Sequence, residues 1–365
     1  MGFKFLGDYA WVKFTAIDKI FEIPSTAFYL ELFGKEIEIK WYGIIIAFGF
    51  TLAVLFGGRM AYKWKMDLNK MLDILIYGTF GGIIGARLYF VFSHWEYYGQ
   101  EPLQILNLRG GGLAIYGGLI GGIIGAYITC RFNKLNFYNL LDMAAMSFLI
   151  GQGIGRWGNF MNQEAFGTNT DLPWGMWSEK IASSVSRELA SLEAGGMIMD
   201  PTKPVHPTFL YESIWCLAGF GILYLICRKA RKFSGQLFLC YGVWYGIGRF
   251  FFEGLRTDSL YLGSTNIRTS QALSAVLVVA CAVVLVMKLV KYTKNPQPVE
   301  GVDFFPEPAP KKGEAAGKSA VAVLEEMADE EQADAPREPQ PPAGPPETDA
   351  AQSEPKPDSA QEGEE

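Results

Sequence analysis

The sequence predicts an all-α polytopic membrane protein. Seven transmembrane helices carry a small extracytoplasmic head and an outer N-terminal hairpin, and a disordered acidic tail follows. Two observations support this prediction: half of the residues are hydrophobic, and the charged residues crowd into short segments and the C-terminal end. Such a composition is typical of a membrane protein with a polar extension. The net charge of −6 is misleading, because residues 301–365 hold a large acidic excess.

Seven apolar runs are long enough to cross a bilayer, which takes about 20 residues in a helix. They lie at about 41–58, 72–92, 112–130, 140–160, 207–227, 236–253 and 271–290. Glycines recur within them at spacings that let helices approach closely in lipid, as in Gly81/Gly85, Gly117/Gly121/Gly125 and Gly242/Gly246. We interpret these glycines as packing positions.

The short loops set the orientation of the chain in the membrane. Lys and Arg concentrate after the first, third, fifth and seventh runs, as in "RKARK" at 228–232. The positive-inside rule makes these loops cytoplasmic. The N-terminus is therefore predicted outside and the C-terminus inside. The first residues lack the apolar core of a cleavable signal peptide.

Three segments follow from this topology. Residues 1–40 are predicted to form an extracytoplasmic arm, with a hairpin at 27–40 because polar and apolar residues alternate on both sides of Gly34. Residues 41–294 form the transmembrane domain, whose one long outer loop, about 161–206, makes the head. Residues 295–365 form the cytoplasmic tail, rich in Pro, Glu and Ala, which cannot bury enough apolar surface to fold.

Several kinds of site are not expected. The chain has two histidines, and its five cysteines lie in or beside the apolar runs, so no metal site is predicted. No phosphate loop or dinucleotide fingerprint occurs, and neither a cofactor nor a nucleic-acid partner is implied. Asp73 and Asp142 lie near the cytoplasmic starts of their helices, where capping and the helix dipole favour a structural role.

The unusual polar residues gather at the outer ends of the predicted spans. These residues are Tyr42, Arg87, His94, Tyr116, and the polar side chains of "GRWGNF", "HPTFLYE" and "GRFFFEGLR". Ionisable groups within a membrane are costly and usually functional. Arg87 could instead be a snorkelling side chain that only places its charge at the membrane interface. This explanation fits Arg156 and Arg249 less well, because further polar residues follow each of them. Because guanidinium groups bind phosphate oxygens bidentately, the pattern predicts a site for an anionic lipid headgroup.

The stretch "GRWGNFMNQEAFG", residues 155–167, resembles the signature of the prolipoprotein diacylglyceryl transferase family, G-R-x-G-N-F-x-N-x-E-x-x-G, at every specified position. "GARLYFVF", "GGLAIYGG", "HPTFLYE" and "GRFFFEGLR" resemble its other motifs in the expected order, and the resemblance covers about residues 25–290. It implies an enzyme of the bacterial plasma membrane that transfers the diacylglyceryl group of phosphatidylglycerol to the lipobox cysteine thiol of a preprolipoprotein. This is the first step of lipoprotein maturation and releases glycerol 1-phosphate. No cofactor is implied, and a monomer is expected.

The motifs also imply roles for individual residues. The expected catalytic residues are Arg156, Arg249, Tyr116 and Glu253. The expected binding residues for phosphatidylglycerol are Arg156, Asn159, Glu164, Gly167, Tyr42, Arg87 and Arg256. Asp142, Asn162 and His206 are expected to support the site. The arginines would stabilise charge that develops on the leaving phosphate.

The chain departs from the better-known family pattern at two positions. Tyr116 stands where a histidine is usual, and Lys40 replaces the histidine before "WYG". The identity of the general base therefore stays open. Tyr116 either positions substrate or an arginine through a hydrogen bond, or is pushed toward phenolate by flanking arginines and acts as the base.

Two other classes of function, a transporter and a membrane anchor, fit the sequence less well. A lipid or solute transporter would have polar residues through the cytoplasmic halves of its spans, but these halves are largely apolar apart from Asp73 and Asp142. A membrane anchor for the acidic tail would leave the outer polar cluster without a role. The sequence favours the enzyme.

Overall fold

The computed structural model describes residues 3–4, 9–32, 35–107, 111–194, 196–257 and 268–296. The predicted tail from residue 297 onward lies outside them. The α-helices are α1 (Trp41–Lys63), α2 (Leu68–Ser93), α3 (Trp95–Tyr98), α4 (Ile115–Phe132), α5 (Phe137–Asn162), α6 (Glu179–Ala194), α7 (Thr208–Lys229), α8 (Gln236–Leu255) and α9 (Thr269–Lys294). A short 3₁₀ helix spans Pro102–Leu106. Each of the seven apolar runs coincides with one long helix.

Five of these helices are long and apolar enough to cross a membrane, counted among the described residues: α1, α2, α4, α7 and α9. The helices α5 and α8 are more polar, because α5 carries Asp142 and Arg156 and α8 carries Arg249 and Glu253. The fold is thus mostly helical and consistent with a polytopic membrane protein. The two helices outside the apolar set carry Arg156, Asn159, Arg249 and Glu253 of the predicted site.

Glycines bring α2 and α4 into close contact. A Cβ atom at Gly81 would lie 2.6 Å from the carbonyl oxygen of Gly121, and one at Gly85 would lie 2.8 Å from the Cα of Gly121. A Cβ at Gly125 would meet the carbonyl of Tyr77 at 2.7 Å. These distances leave no room for a side chain, so the backbones pack directly against each other. The predicted packing role of these glycines is confirmed.

The helix α8 packs against α9 in the same manner. A Cβ at Gly246 would lie 2.6 Å from Cγ2 of Val278, and one at Gly242 would lie 2.5 Å from Sγ of Cys281. The remaining long helices pack as α1 on α5 and as α5 on α7 and α8. The helix α5 therefore lies against three partners.

Helix capping differs from the prediction made for Asp73 and Asp142. The N-caps of α2 and α5 are Asp67 and Asn136, whose side chains accept bonds from backbone N–H groups in the first helical turn. Asp73 lies more than one turn inside α2, too far to reach those groups, and accepts instead from Nδ2 of Asn133 at 3.3 Å. The predicted capping of their own helices was therefore wrong for both aspartates.

The prediction of an all-α fold was wrong in one respect, because six short strands among the described residues form two sheets. The strands are β1 (Phe3–Lys4), β2 (Tyr9–Phe14), β3 (Ile17–Pro24), β4 (Thr26–Leu32), β5 (Lys35–Lys40) and β6 (Met176–Ser178). One sheet has the order β1-β4-β5 and the other β3-β2-β6, with antiparallel pairing throughout. β4 and β5 form a hairpin where the alternation across 27–40 predicts one; residues 33–34 lie outside the described residues.

The head draws on two distant parts of the chain. β2 pairs on one edge with β3 and on the other with β6, so that Val12 lies opposite Ser178. Val12 is fully buried in an apolar cluster that includes Ile181 and Val185 of α6. Residues 9–24 therefore belong to the head. The prediction of a separate arm did not include this contact. Pairing between strands that are distant in the sequence leaves no local signal in either strand.

Candidate active site

The C-terminal end of α5 presents the polar residues of the 155–167 stretch. The helix ends at Asn162, and Gln163 adopts a left-handed conformation with φ of 50° that turns the chain back. Glu164 then lies over the last helical turn, where its Oε1 accepts from Nδ2 of Asn159 at 2.9 Å and from Nδ2 of Asn162 at 3.3 Å. The turn thus converts residues that are sequential in the chain into one connected network.

Arg156 joins this network to α7. Its Nη2 lies 2.5 Å from Oε2 of Glu212, and its Nη1 donates to Oδ1 of Asn159 at 3.5 Å. The Glu212 side chain is 8% exposed and that of Arg156 is 24% exposed. The carboxylate is therefore largely out of contact with solvent, whereas the guanidinium keeps an accessible face.

Two further arginines complete the charged group. Arg249 of α8 pairs with Glu253 one turn later, with 2.8 Å between Nη2 and Oε2. Arg256, which follows the last residue of α8, places Nη1 3.9 Å from Oε1 of Glu212. Three arginines thus lie beside Glu212 and Glu253, and Glu164 joins the group through Asn159. The charges of this group balance, but the exposed faces of Arg156 and Arg249 can still contact an anion such as a phosphate.

A cavity of about 70 Å³ lies between α5, α7 and α8 beside these pairs. Its lining residues are Gln152, Arg156, Glu212, Trp215, Cys216, Tyr245, Gly248, Arg249 and Phe252. Arg156 and Arg249 come from different helices and both border this space. Their guanidinium groups can therefore contact one ligand.

Two tryptophans fix the spacing of α7 and α8 beside the cavity. Nε1 of Trp215 donates to the carbonyl of Trp244 at 3.1 Å, and Nε1 of Trp244 donates to the carbonyl of Trp215 at 3.0 Å. Their rings stack with centroids 4.1 Å apart, over Gly219 and Gly248. Glu212 lies one turn before Trp215 on α7. The Trp215–Trp244 contact therefore fixes the position of Glu212 relative to α8.

The loop after α5 is tied to the end of α8. Gly167 and Arg256 form an antiparallel bridge, and the Thr168 N–H donates to the Leu255 carbonyl at 2.9 Å. A Cβ at Gly167 would lie 2.8 Å from Cβ of His206, so this position has no space for a side chain. Gly167 therefore acts through backbone packing that holds Arg256.

His206 belongs to the wall of the head. Its Nδ1 lies 3.2 Å from the Tyr211 hydroxyl, which also accepts from Nε1 of Trp174 at 2.6 Å. Burial lowers the pKa of His206 from its usual value. A neutral imidazole at physiological pH is consistent with its predicted supporting role.

Tyr42 is positioned by the signature helix itself. A Cβ at Gly158 would lie 2.8 Å from Cδ2 of Tyr42, so the phenol ring of α1 rests directly on the glycine of "GRWGN". Tyr42 remains 37% exposed. The ring therefore lies against the helix that carries Arg156 and keeps an exposed face.

Arg87 has a different environment from the one predicted. It is 6% exposed, and its five N–H donors all bond backbone carbonyls. The acceptors are Gln104, Ile105, Asn107, Gly111 and Gly112, at 2.5 to 3.0 Å. No donor is left for a phosphate oxygen. We therefore revise its predicted role from binding phosphatidylglycerol to holding the segment before α4.

Tyr116 lies in the first turn of α4, which that segment precedes. Its side chain is 55% exposed and forms no hydrogen bond with any described residue. The structure thus brings neither an arginine nor a carboxylate to its hydroxyl within the described part of the chain. Among the described residues, the interpretation that remains for Tyr116 is contact with substrate, because both arginine-based interpretations need a guanidinium group near the hydroxyl.

Asp142 is fully buried in a second charged group, formed with Arg231 from the loop between α7 and α8. Nε of Arg231 donates to Oδ2 at 3.1 Å, and the backbone N–H groups of Gly235 and Phe238 donate at 2.8 and 2.9 Å. Asp142 therefore caps the start of α8 across the bundle. The predicted structural role is supported by these contacts, although through another helix.

Sequence reasoning missed Glu212, the partner of Arg156. Glu212 ends the motif "HPTFLYE", for which no catalytic or binding role was predicted. The available signal was a carboxylate in the second turn of an otherwise apolar helix, which is costly in a membrane unless it is paired. The described residues contain no group of three or more His, Cys, Asp and Glu side chains placed to hold a metal.

Comparison with known proteins gives a consistent result. Residues 29–287 match the prolipoprotein diacylglyceryl transferase family. A phosphatidylglycerol-prolipoprotein diacylglyceryl transferase of Staphylococcus aureus (strain Newman) is 42% identical over 280 residues, which cover 75% of this chain and 93% of the relative. Its counterpart in Finegoldia magna is 41% identical over 260 residues, 71% of this chain and 94% of the relative. The chain belongs to the prolipoprotein diacylglyceryl transferase family.

Proposed function

We propose that this enzyme transfers the diacylglyceryl group of phosphatidylglycerol to the lipobox cysteine thiol of a preprolipoprotein. Family membership and the names of the relatives support transfer from phosphatidylglycerol to prolipoprotein, the first step of lipoprotein maturation. The observation that carries the site assignment is the cavity bordered by Arg156 and Arg249, each held by a glutamate.

The chemistry is a displacement at the glyceryl carbon that bears the phosphate. The cysteine sulfur forms a bond to this carbon while the bond from carbon to phosphate oxygen breaks. The electron pair stays with the phosphate oxygen, and the thiol proton leaves to a base. The products are a thioether and glycerol 1-phosphate.

Arg156 and Arg249 supply the electrostatic part of this reaction. Negative charge on the leaving phosphate grows in the transition state, and fixed guanidinium groups stabilise it more there than in the ground state. Glu212 and Glu253 orient the two guanidinium groups. Arg256 reinforces the positive field from the end of α8, and Asn159 links Arg156 to Glu164, which can meet glycerol hydroxyls.

The thiol base is assigned to no single residue. A free cysteine has a pKa of about 8.5, and a positive field lowers it toward neutrality. The arginine cluster can therefore favour the thiolate without a strong base. Tyr116, which occupies the position of the usual histidine, then acts by positioning substrate.

The membrane arrangement is also part of the proposal. All seven long helices span the membrane, including α5 and α8, whose polar residues face one another. The N-terminus, the head and the transfer site lie outside, and the acidic segment 295–365 lies in the cytoplasm. We also propose that the enzyme acts as a monomer.

A transporter is the rival function. On the side of the bundle away from the Arg156 cavity, the space between α1, α5, α7 and α8 is filled by an apolar cluster that includes Met146, Leu149 and Leu223. The only fully buried carboxylate described there, Asp142, is paired with Arg231. A packed apolar cluster at this place favours an enzyme over a transporter, which needs a continuous polar path through the bundle.

The test uses phosphatidylglycerol labelled separately in its acyl chains and in its headgroup glycerol. Membranes with the full-length protein are incubated with a lipobox peptide or with its Cys→Ser counterpart. Acyl label should enter the cysteine peptide, with headgroup label released as glycerol phosphate in equal amount, and the serine peptide should gain nothing. Lipid consumption or movement without label on the peptide would reject the transferase assignment.

A further inference from the structure

A second cavity, separate from the Arg156 cavity, lies between the α1–α2 loop and the α4–α5 loop. Its volume is about 970 Å³. Four basic side chains line it, Lys65, Lys70, Arg131 and Lys134, and the one acidic residue among the lining residues is Asp67. Three positive charges are therefore in excess. In the proposed topology this cavity opens at the cytoplasmic side.

The two loops that form the cavity have the same backbone design. Lys65 follows the end of α1 with φ of 49°, and Lys134 follows the end of α4 with φ of 56°. The next residues, Met66 and Leu135, each donate an N–H to the carbonyl five positions earlier, both at 2.9 Å. This is the Schellman ending of a helix, in which a left-handed residue closes the last turn.

The residue type at the left-handed position is unusual. Glycine is favoured there because it has no Cβ, and a larger side chain adds strain. Both loops nevertheless hold a lysine. The positive-inside rule accounts for basic residues in these loops. It does not account for their occurrence twice at the one position where any side chain is disfavoured.

The floor of the cavity contains a donor without an acceptor. Trp64 lines the cavity and is 5% exposed, and its Nε1 has no hydrogen-bond partner among the described residues. One face of its ring carries the guanidinium of Arg231, 4.2 Å from the ring centroid. A buried N–H without an acceptor is costly. The site therefore has a surplus of donors and cations and few acceptors.

We infer that this cavity binds an anionic phosphate group, carried by the headgroup of a membrane phospholipid. Lys65 and Lys134 hold the phosphate from opposite loops, and Arg131 and Lys70 complete the ring of cations. The volume is within the range of sites that enclose a small molecule. The site differs from the transfer site in its helices, its lining residues and its side of the bundle. A free phosphate ion shares the same chemistry, so the source is decided by experiment.

The experiment measures thermal unfolding of the full-length protein in phosphatidylcholine nanodiscs. One titration adds dioleoyl phosphatidic acid to the bilayer, and the other adds inorganic phosphate to the buffer. We expect phosphatidic acid to raise the melting temperature with a saturable midpoint. Stabilisation by inorganic phosphate at millimolar concentration, lost in the lysine variants described next, would support the site and identify solution phosphate as its source.

Two double variants test the assignment to this cavity. Lys65→Gly with Lys134→Gly removes both cations and installs the residue that the backbone favours, so the melting temperature without anionic lipid should not fall. Lys65→Gln with Lys134→Gln removes the same charges with a long side chain retained. Both should weaken the apparent affinity for phosphatidic acid at least about tenfold, since each lost hydrogen bond to a charged phosphate oxygen contributes about tenfold or more.

Lys291→Gln with Lys294→Gln is the matched control, because it removes two lysines from the last turn of α9, outside the cavity. Its affinity for phosphatidic acid should stay within about twofold of the wild type. The inference is overturned if the wild type shows no stabilisation by either ligand. It is also overturned if the Lys65/Lys134 variants and the control lose affinity equally.

Discussion

Two groups of arginine and carboxylate side chains occupy the same helical bundle and differ in how completely they are satisfied. In the Arg231–Asp142 pair the side chains are 1% and 0% exposed. In the Arg156–Glu212 and Arg249–Glu253 pairs the arginines are 24% and 23% exposed. Both groups use the same chemistry. Only the second borders the cavity of about 70 Å³.

The difference in exposure distinguishes a structural ion pair, Arg231–Asp142, from ion pairs that can still contact a ligand. Asp142 accepts from the Gly235 and Phe238 backbone as well as from Arg231, which also stacks on Trp64. Such a group gains nothing from a ligand. Arg156, by contrast, has one carboxylate partner and one long bond to Asn159. Its remaining donors can contact a phosphate as charge develops there.

The largest expected effect comes from breaking the satisfied pair. Asp142→Ala leaves Arg231 buried without its carboxylate and uncaps α8, so the free energy of unfolding should fall by about 3–5 kcal/mol. Thermal unfolding in detergent measures it. The double variant Asp142→Leu with Arg231→Met should recover much of the loss. Unchanged melting of Asp142→Ala, together with lost transfer, would instead place Asp142 in the reaction.

Arg87 offers a second satisfied arginine. Arg87→Lys keeps the charge but cannot reach five carbonyls, so residues 104–107 and 111–112 should loosen, with a loss of roughly 1–3 kcal/mol. Hydrogen exchange at residues 104–107 and 111–112 should rise, and Arg59→Lys, an exposed arginine of α1, is the matched control. Unchanged exchange with weaker binding of phosphatidylglycerol would restore the original assignment of Arg87 to the lipid.

The role of the Arg156–Glu212 pair can be tested by changing its carboxylate. Glu212→Gln removes the charge that orients Arg156 but leaves the cluster more positive. The kcat for transfer should fall roughly 10-fold to 10²-fold, while KM for phosphatidylglycerol should not rise. Steady-state kinetics with the labelled lipid separate the two constants. A raised KM at normal kcat would mean that Glu212 contacts the lipid directly.

Tyr116 is expected to give the smallest effect. Tyr116→Phe should slow transfer by about 10-fold, the effect of one hydrogen bond at roughly 1.4 kcal/mol, and should leave the alkaline limb of the pH–rate profile unchanged. The pH–rate profile of both proteins measures it. A folded Tyr116→Phe enzyme that binds phosphatidylglycerol but is as inactive as Arg156→Ala would identify Tyr116 as the base.

Local patterns predicted much of this molecule. Each apolar run coincides with a long helix, and the glycine spacing identified packing positions that lie in the α2–α4 and α8–α9 contacts, because both signals depend on neighbours in the chain. The signature stretch placed Arg156, Asn159 and Glu164 in one network for the same reason. The specified positions of a motif report residues that act together, even before their contacts are known.

Long-range contacts were not predictable in the same way. Arg156 and Glu212 are 56 positions apart in the sequence, and the pairing of β2 with β6 joins segments more than 150 positions apart. The hydrogen bonds of the Arg87 side chain all go to backbone carbonyl groups. Every residue has such a group, so no residue type in the sequence could predict these bonds. The pairing of Arg231 with Asp142 was not predicted, because the positive-inside rule already explained the basic residues at 228–232.

The central claim is that Arg156 stabilises the leaving phosphate through its planar fork. The most direct measurement is the single-turnover rate of thioether formation by Arg156→Lys and Arg156→Ala, with melting temperatures measured in parallel. Arg187→Lys, an exposed change in α6, is the control. Both Arg156 variants should lose at least about 10² in rate at nearly unchanged melting temperature. Near-normal transfer by Arg156→Lys would contradict the account and reduce Arg156 to a generic positive charge.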